Sequence, residues 1–321
     1  MADATADIPV SVAERRVAAP AAAVDRWYTN TRIVGLSRFA VAITVLNIIG
    51  HLFLGFEPSW ITPFVALATT YSVDLFGETI DAAAQGRRPA YAGSLHALVI
   101  FLLPAHITGL AVGMLLYASE QIWAVVFACA LAIASKYIFR LPRREVGGNL
   151  PAYKHFLNPS NLGIGVTLLL FPSVGIAPPY QFAENLFGLL YWLLPLIVIS
   201  TGSFLNLKAT VRYPLILAWL LAFAAQALVR AWIHGTPWNA GLEPMTGFAF
   251  ILFTFYMITD PGTTPSDARQ QIIFGAAVAL AYGLLMELHV VFGLFFALMI
   301  VSIARALIVF SQRFQASPMR A

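Results

Sequence analysis

Apolar runs close to twenty residues long recur along almost the whole chain, each closed by a short polar break. A helix of that length crosses the hydrocarbon of a bilayer, about 30 Å, and satisfies its own backbone hydrogen bonds where no water is present. Composition agrees with this reading. Of 321 residues, 60% are hydrophobic and only 11% are charged, whereas a water-soluble domain carries about 25% charged residues. Mean hydropathy is +0.79. The expected fold class is an all-α polytopic membrane protein, and its first partner is the lipid bilayer.

Ten spans are read, near 33–53, 60–80, 93–117, 122–140, 160–176, 187–206, 213–231, 245–259, 270–287 and 290–311. The basic residues test the count. With the N-terminus inside, Arg15, Arg16, Arg26, Arg32, Arg87, Arg88, Arg143, Arg144, Lys154, Lys208, Arg212, Arg269, Arg313 and Arg320 all fall in inner segments. The outer loops near 54–59, 118–121, 177–186, 232–244 and 288–289 hold no Lys or Arg, with Arg230 a borderline case at the outer end of a span. Such alternation places both termini on the cytoplasmic side. Trp60, Trp123 and Trp238 fall at expected outer boundaries, where amphipathic rings favour the interface. The division is then a flexible cytoplasmic arm (1–30), a membrane domain (31–312) and a cytoplasmic tail (313–321).

Several functions lack sequence support. The net charge of +4 is spread over many loops and forms no nucleic-acid-binding stripe. One cysteine, Cys129, excludes a disulfide framework or a cysteine-based metal site. There is no HExxH, no GxGxxG, no Walker loop and no GxSxG, so zinc-protease, nucleotide-hydrolysing and serine-hydrolase chemistry have no basis.

Charges inside spans are costly and draw attention to function. Asp74 and Glu78, four apart on one helical face, read either as an ion or proton site or as interfacial carboxylates beside Arg87 and Arg88. Lys136, about one turn inside the membrane, either snorkels to the interface or points at an anionic ligand. His51 and His106 read first as hydrogen-bonded packing residues. Arg38 and Arg305 read as snorkelling side chains, and Glu287 and His289 as solvated groups at an outer turn.

Two polar turns stand out, His155–Gly163 and Tyr256–Pro265. Each holds Asn or Asp followed by Pro, the residue order of a helix N-cap and first helical position, and such a start aims unpaired N–H groups at whatever lies before it. The first offers Asn158, Ser160 and Asn161, then Gly163 and Gly165, which let a backbone or a flat ring come close. The second offers Asp260, Thr263 and Thr264. Capping and ligand binding use the same geometry, and both readings stand at each turn.

The segment Phe156-Leu-Asn-Pro-Ser-Asn-Leu-Gly163, running on to Leu170-Phe-Pro172, and the segment Met257-Ile-Thr-Asp-Pro-Gly-Thr-Thr264 resemble motifs of the RnfD/NqrB family of membrane electron-transport subunits. Lys136 matches a lysine of that family. Phe101–Leu110 and Gly175–Tyr180 are similar to the members found with enediyne antibiotic biosynthesis. The resemblance covers roughly residues 93–311 and implies ten spans in the bacterial cytoplasmic (inner) membrane, a flavin, and other membrane redox subunits as partners. Lys136, Asn158, Ser160, Asn161, Gly163, Asp260, Thr263 and Thr264 become the implied cofactor-binding residues. One departure matters: Ser173–Glu184 lacks the family's flavin-bearing threonine motif and contains no threonine. Covalent FMN is therefore not carried over, and noncovalent FMN or riboflavin is the implied cofactor. A small-molecule or ion transporter on the same scaffold, without a redox cofactor, is the rival expectation.

Overall fold

The computed structural model describes residues 31–143, 152–178, 182 and 185–316. The expected arm and the last five residues of the tail lie outside them. The described chain is helical apart from two small β pairs. Helix α1 (Thr31–Ile49) runs into a π turn (Gly50–Leu54), and is followed by α2 (Thr62–Ala84), α3 (Leu95–Leu115) and α4 (Ile122–Ile138). Next come α5 (Pro159–Leu170), α6 (Leu189–Phe204) with a π turn (Leu205–Ala209), and α7 (Tyr213–His234). A short α8 (Trp238–Leu242), α9 (Phe248–Leu252) with a π turn (Phe253–Met257), α10 (Ala268–Glu287) and α11 (Gly293–Ala316) complete it.

Among the described residues, six helices are long and apolar enough to cross a membrane, or seven if the bent pair around α8 and α9 is one span. This is the make-up of a multi-pass membrane protein in a lipid bilayer. Four of the ten expected spans are not among the six. Those near 60–80 and 122–140 are helices, α2 carrying Asp74, Glu78 and Asp81 and α4 of only 17 residues. Two others take another form. The one near 160–176 becomes α5, only 12 residues and about 18 Å long at 1.5 Å per residue. It stops where Pro172 follows Phe171, and Gly175–Ile176 (β4) then pairs as a strand with Leu116–Tyr117 (β1). The span near 245–259 is broken by 65° between Trp238–Thr246 and Phe248–Met257.

After α4 the chain forms a second strand pair. Arg140–Arg143 (β2) pairs antiparallel with Ala152–His155 (β3), and Arg140 stands opposite His155. Strand β3 thereby delivers the chain to the start of α5.

The core lies around α4, α5, α7 and α9–α11. Trp219 of α7 is fully buried among Phe223, Phe250 and Phe253, and its indole N–H donates to Thr254 Oγ1 at 2.9 Å. Apolar surface alone gives no strong drive to pair helices in lipid, so close packing of small residues matters more. Gly163 is one such residue. A Cβ there would run into the Ala128 carbonyl and stand 2.8 Å from the Ala132 Cβ, so α5 crosses α4 at backbone contact. At Gly165 the nearest atom would be 3.8 Å away, in the flexible Met299 side chain. Gly163→Ala should therefore lower stability by about 1–3 kcal/mol through overpacking, while Gly165→Ala is tolerated. Thermal unfolding of the two variants in detergent checks the contrast.

Candidate functional site

Two turns a hundred residues apart in sequence meet in space. Asn158 caps α5 as expected: its Oδ1 accepts from the Asn161 N–H at 3.0 Å and from Ser160 Oγ at 2.9 Å, with Pro159 in the first helical position. The Nδ2 of the same side chain donates to the Met257 carbonyl at 3.1 Å, across to the second turn. Asn161 Nδ2 reaches the Phe295 carbonyl of α11 at 3.0 Å.

The Asp260 turn differs from the expected helix start. Asp260 Oδ1 accepts from the Gly262 N–H at 2.8 Å and Oδ2 from Thr263 Oγ1 at 3.1 Å, while its carbonyl accepts from Thr264 Oγ1 at 2.6 Å. These bonds close a compact turn that does not wind on into a helix. Helix α10 begins at Ala268, and Asp267 is its cap, accepting from the Gln270 N–H at 3.0 Å. Pro265 lies between the two, and a residue before proline is steered out of the helical region.

Side chains from several elements hold this turn. Lys154 Nζ donates to the Pro261 carbonyl at 2.9 Å, Arg305 of α11 to the Thr263 carbonyl at 3.0 Å, and the buried Arg212, before α7, to Thr264 Oγ1 at 2.9 Å. Asn206, in the π turn after α6, donates to the Phe255 carbonyl at 2.9 Å. π turns free carbonyls from the α-helical ladder, and Asn206 takes up one of them.

His155 and Asp260 face the same point. A Cβ built on Gly262 would stand 2.9 Å from Asp260 Oδ1 and 3.1 Å from His155 Nε2, so glycine leaves the space between imidazole and carboxylate open. Burial pushes the His155 imidazole below its ordinary range. Asp260 works in the opposite direction, and Lys136, Lys154 and Arg140 add to the lowering.

A second polar cluster adjoins the first through Lys136 and Arg140. The fully buried Asp74 of α2 receives Lys136 Nζ on both oxygens, at 2.8 and 2.9 Å, and the Tyr137 hydroxyl at 2.7 Å. Gly77 makes room for the Tyr137 ring, whose nearest atoms would lie 2.5–2.9 Å from a Cβ there. Glu78 pairs with Arg87 and accepts the Ala90 N–H at 2.7 Å. Asp81 bridges Arg87 and Arg140, each at 2.7 Å.

The implied cofactor residues are thus largely engaged by the protein itself. Lys136 is committed to Asp74, Asn158 and Asn161 to backbone carbonyls, and Thr263 and Thr264 to Asp260, while Gly163 sits in a helix crossing. Glu78 is paired with Arg87. Asp74 is turned inward to Lys136. The residues that rim the turn, His155, Lys154 and Arg212, were not among the binding residues expected from sequence. Their polarity was visible, but no periodicity tied them to Asp260. Arg305, read as snorkelling, donates into the turn. His106 is a hydrogen-bonded packing residue: the Thr44 hydroxyl donates to the Ala40 carbonyl, so its oxygen accepts from Nε2–H at 2.7 Å, and Nδ1 accepts from Tyr71 at 2.6 Å. Among the described residues, no group of three or more His, Cys, Asp or Glu could hold a metal ion.

Two measurements test these assignments. Lys136→Met should cost about 3–5 kcal/mol, because it strands a buried carboxylate, and adding Asp74→Asn should recover most of the loss. Detergent unfolding of the single and double variants reads this. For His155, the lowered value means the folded protein prefers the neutral ring. Its contribution to stability is present above about 6.5, the ordinary histidine value, and is lost as pH falls through the lower folded value. The unfolding midpoint should drop more steeply on acidification in the wild type than in His155→Gln. Compared with protein-family models and with curated proteins, the chain matches none.

Proposed function

We propose that this chain is a bacterial inner-membrane subunit of the RnfD/NqrB type, crossing ten times with both termini cytoplasmic, that moves electrons through a noncovalently held flavin. In a cell that makes an enediyne, it would serve that biosynthesis. The observation that carries the reading is the direct bond between the two turns. The motifs that bear the resemblance are joined by Asn158 Nδ2 on the Met257 carbonyl, and together they build one polar site.

The donor set suits one end of a flavin nucleotide. Lys154, Arg212 and Arg305 bring three cations to a turn that carries one carboxylate, and guanidinium and ammonium groups are the usual phosphate partners. The glycines suit the ring less well, because Gly163 is closed off by the α4 backbone. FMN held by its phosphate therefore accords with these residues better than riboflavin. When bound, the flavin supplies the electron-carrying chemistry. His155 and Asp260, beside it, would hold and pass a proton, and the lowered His155 value keeps the ring ready to accept one.

A second reading rests on the buried charges of α2. Asp74, Glu78 and Asp81 lie along one helix and are paired with cations from α4, β2 and the loop after α2. Such a stripe inside a bundle also suits a small-molecule or ion transporter on the same scaffold, without a redox cofactor.

An absorption spectrum and mass spectrometry of the purified protein, before and after denaturation, separate these readings. The redox reading expects flavin released intact on denaturation, and loss of most of it in Arg212→Ala. Protein with neither flavin nor redox response sinks it. The transport reading expects uptake or efflux of a solute in vesicles that Asp260→Ala abolishes, and unchanged flux in that variant counts against it.

A further inference from the structure

Helices α7 and α10 run side by side in the same direction. Gln271 Nε2 donates to the Val211 carbonyl at one end, and Arg230 Nε to Glu287 Oε1, at 2.6 Å, near the other. Close to that second end, far from Arg212 and the Asp260 turn, a groove of about 380 Å³ opens between them. Ala222, Ala225, Leu280 and Leu284 make it apolar, Gln226 and Gly283 lie within it, and Arg230 and Glu287 stand at its mouth. Leu280 and Leu284 are more than 60% exposed and Val229 is 53% exposed, so the groove opens on the flank turned to lipid.

Gln226 is out of keeping with this setting. The residue is 8% exposed, and neither its amide oxygen nor its amide nitrogen has a partner. Gly283 makes room for it: a Cβ there would stand 2.6 Å from Gln226 Oε1. A buried amide with neither its donor nor its acceptor used is costly, and a leucine would fill the same volume without that cost. One and two helical turns beyond it, Arg230 and His234 both bond Glu287, the latter at 2.8 Å. That leaves further guanidinium N–H groups at the mouth of the groove.

We propose that this groove seats one phosphoglyceride of the surrounding bilayer. An acyl chain lies along the alanines and leucines, the Gln226 side chain turns from Gly283 toward the groove to donate to the ester carbonyl, and Arg230 faces the phosphate. The spacing agrees with this assignment. Gln226 and Arg230 are four residues apart, about 6 Å along the axis, which is the reach from a glycerol ester to its phosphate. The exposed apolar flank supplies the source, since lipid is the solvent on that side.

The test uses the full chain, purified in detergent and stripped of lipid, with dioleoyl-phosphatidylglycerol added back. Native mass spectrometry and the unfolding temperature are the readouts. One retained lipid and a raised unfolding temperature are expected. Gln226→Leu should weaken retention about tenfold, the worth of one hydrogen bond out of water. The same change should stabilise the lipid-free protein, because the unpaired amide is gone. Ala225→Trp, which fills the groove from the lipid side, should abolish retention and stands in if Gln226→Leu fails to fold. Inorganic phosphate alone should give no shift. Equal retention by the wild type and the folded variants overturns the proposal, as does a shift from inorganic phosphate as large as that from lipid.

Discussion

Between the π turn after α9 and the first turn of α10, the backbone from Ile258 to Asp267 leaves regular helix, and residues 258, 259 and 263–265 of it are buried. Its carbonyls, and those loosened in the π turn itself, need donors, because a buried backbone acceptor left without a partner is costly. The protein supplies them from elsewhere in the chain. Asn206 takes Phe255, Asn158 takes Met257, Lys154 takes Pro261 and Arg305 takes Thr263. This one requirement draws α6, β3, α5 and α11 to the same place. The positive charge gathered around Asp260 follows from it, since two of the four donors are cations and Arg212 adds a third through Thr264.

The neighbouring charges obey a related constraint. Taking a carboxylate out of water costs several kcal/mol, and only a close, well-bonded partner offsets it. Asp74 accordingly has Lys136 and Tyr137, Glu78 has Arg87 and the Ala90 N–H, and Asp81 has Arg87 and Arg140. Lys136 and Arg140 serve both clusters, pairing with α2 on one side and lowering His155 on the other. A change of charge at either cluster is therefore felt at the other, through two side chains of α4 and its end.

The helical character, the membrane setting and most helix positions were legible from apolar run length, which directly measures what a bilayer demands. Asn158 as a cap was legible too, because Asn-Pro followed by an apolar run is a local signal. Asp260 was misread on the same signal. Its carboxylate bonds Gly262 and Thr263 within the turn, and Pro265 delays the helix to Ala268. The short α5 and the β2–β3 hairpin were not legible either. Hydropathy counts apolar residues without telling whether they face lipid or other helices, and α5 is apolar because it is buried among α3, α4 and α11.

The sequence by itself determined that this chain lives among lipids, that it is built of helices, and that two Asn/Asp-Pro turns interrupt them. Those properties are local, set by runs of neighbouring residues and their propensities. The tertiary structure alone decided that the two turns are bonded together, that His155 faces Asp260 across Gly262, and that Lys136 spends its charge on Asp74. Each joins residues 60 or more positions apart or separated by a turn, and no local pattern specifies which distant donor will satisfy a given buried acceptor. Only the packed bundle makes that choice, because only there does leaving a group unpaired carry its full cost.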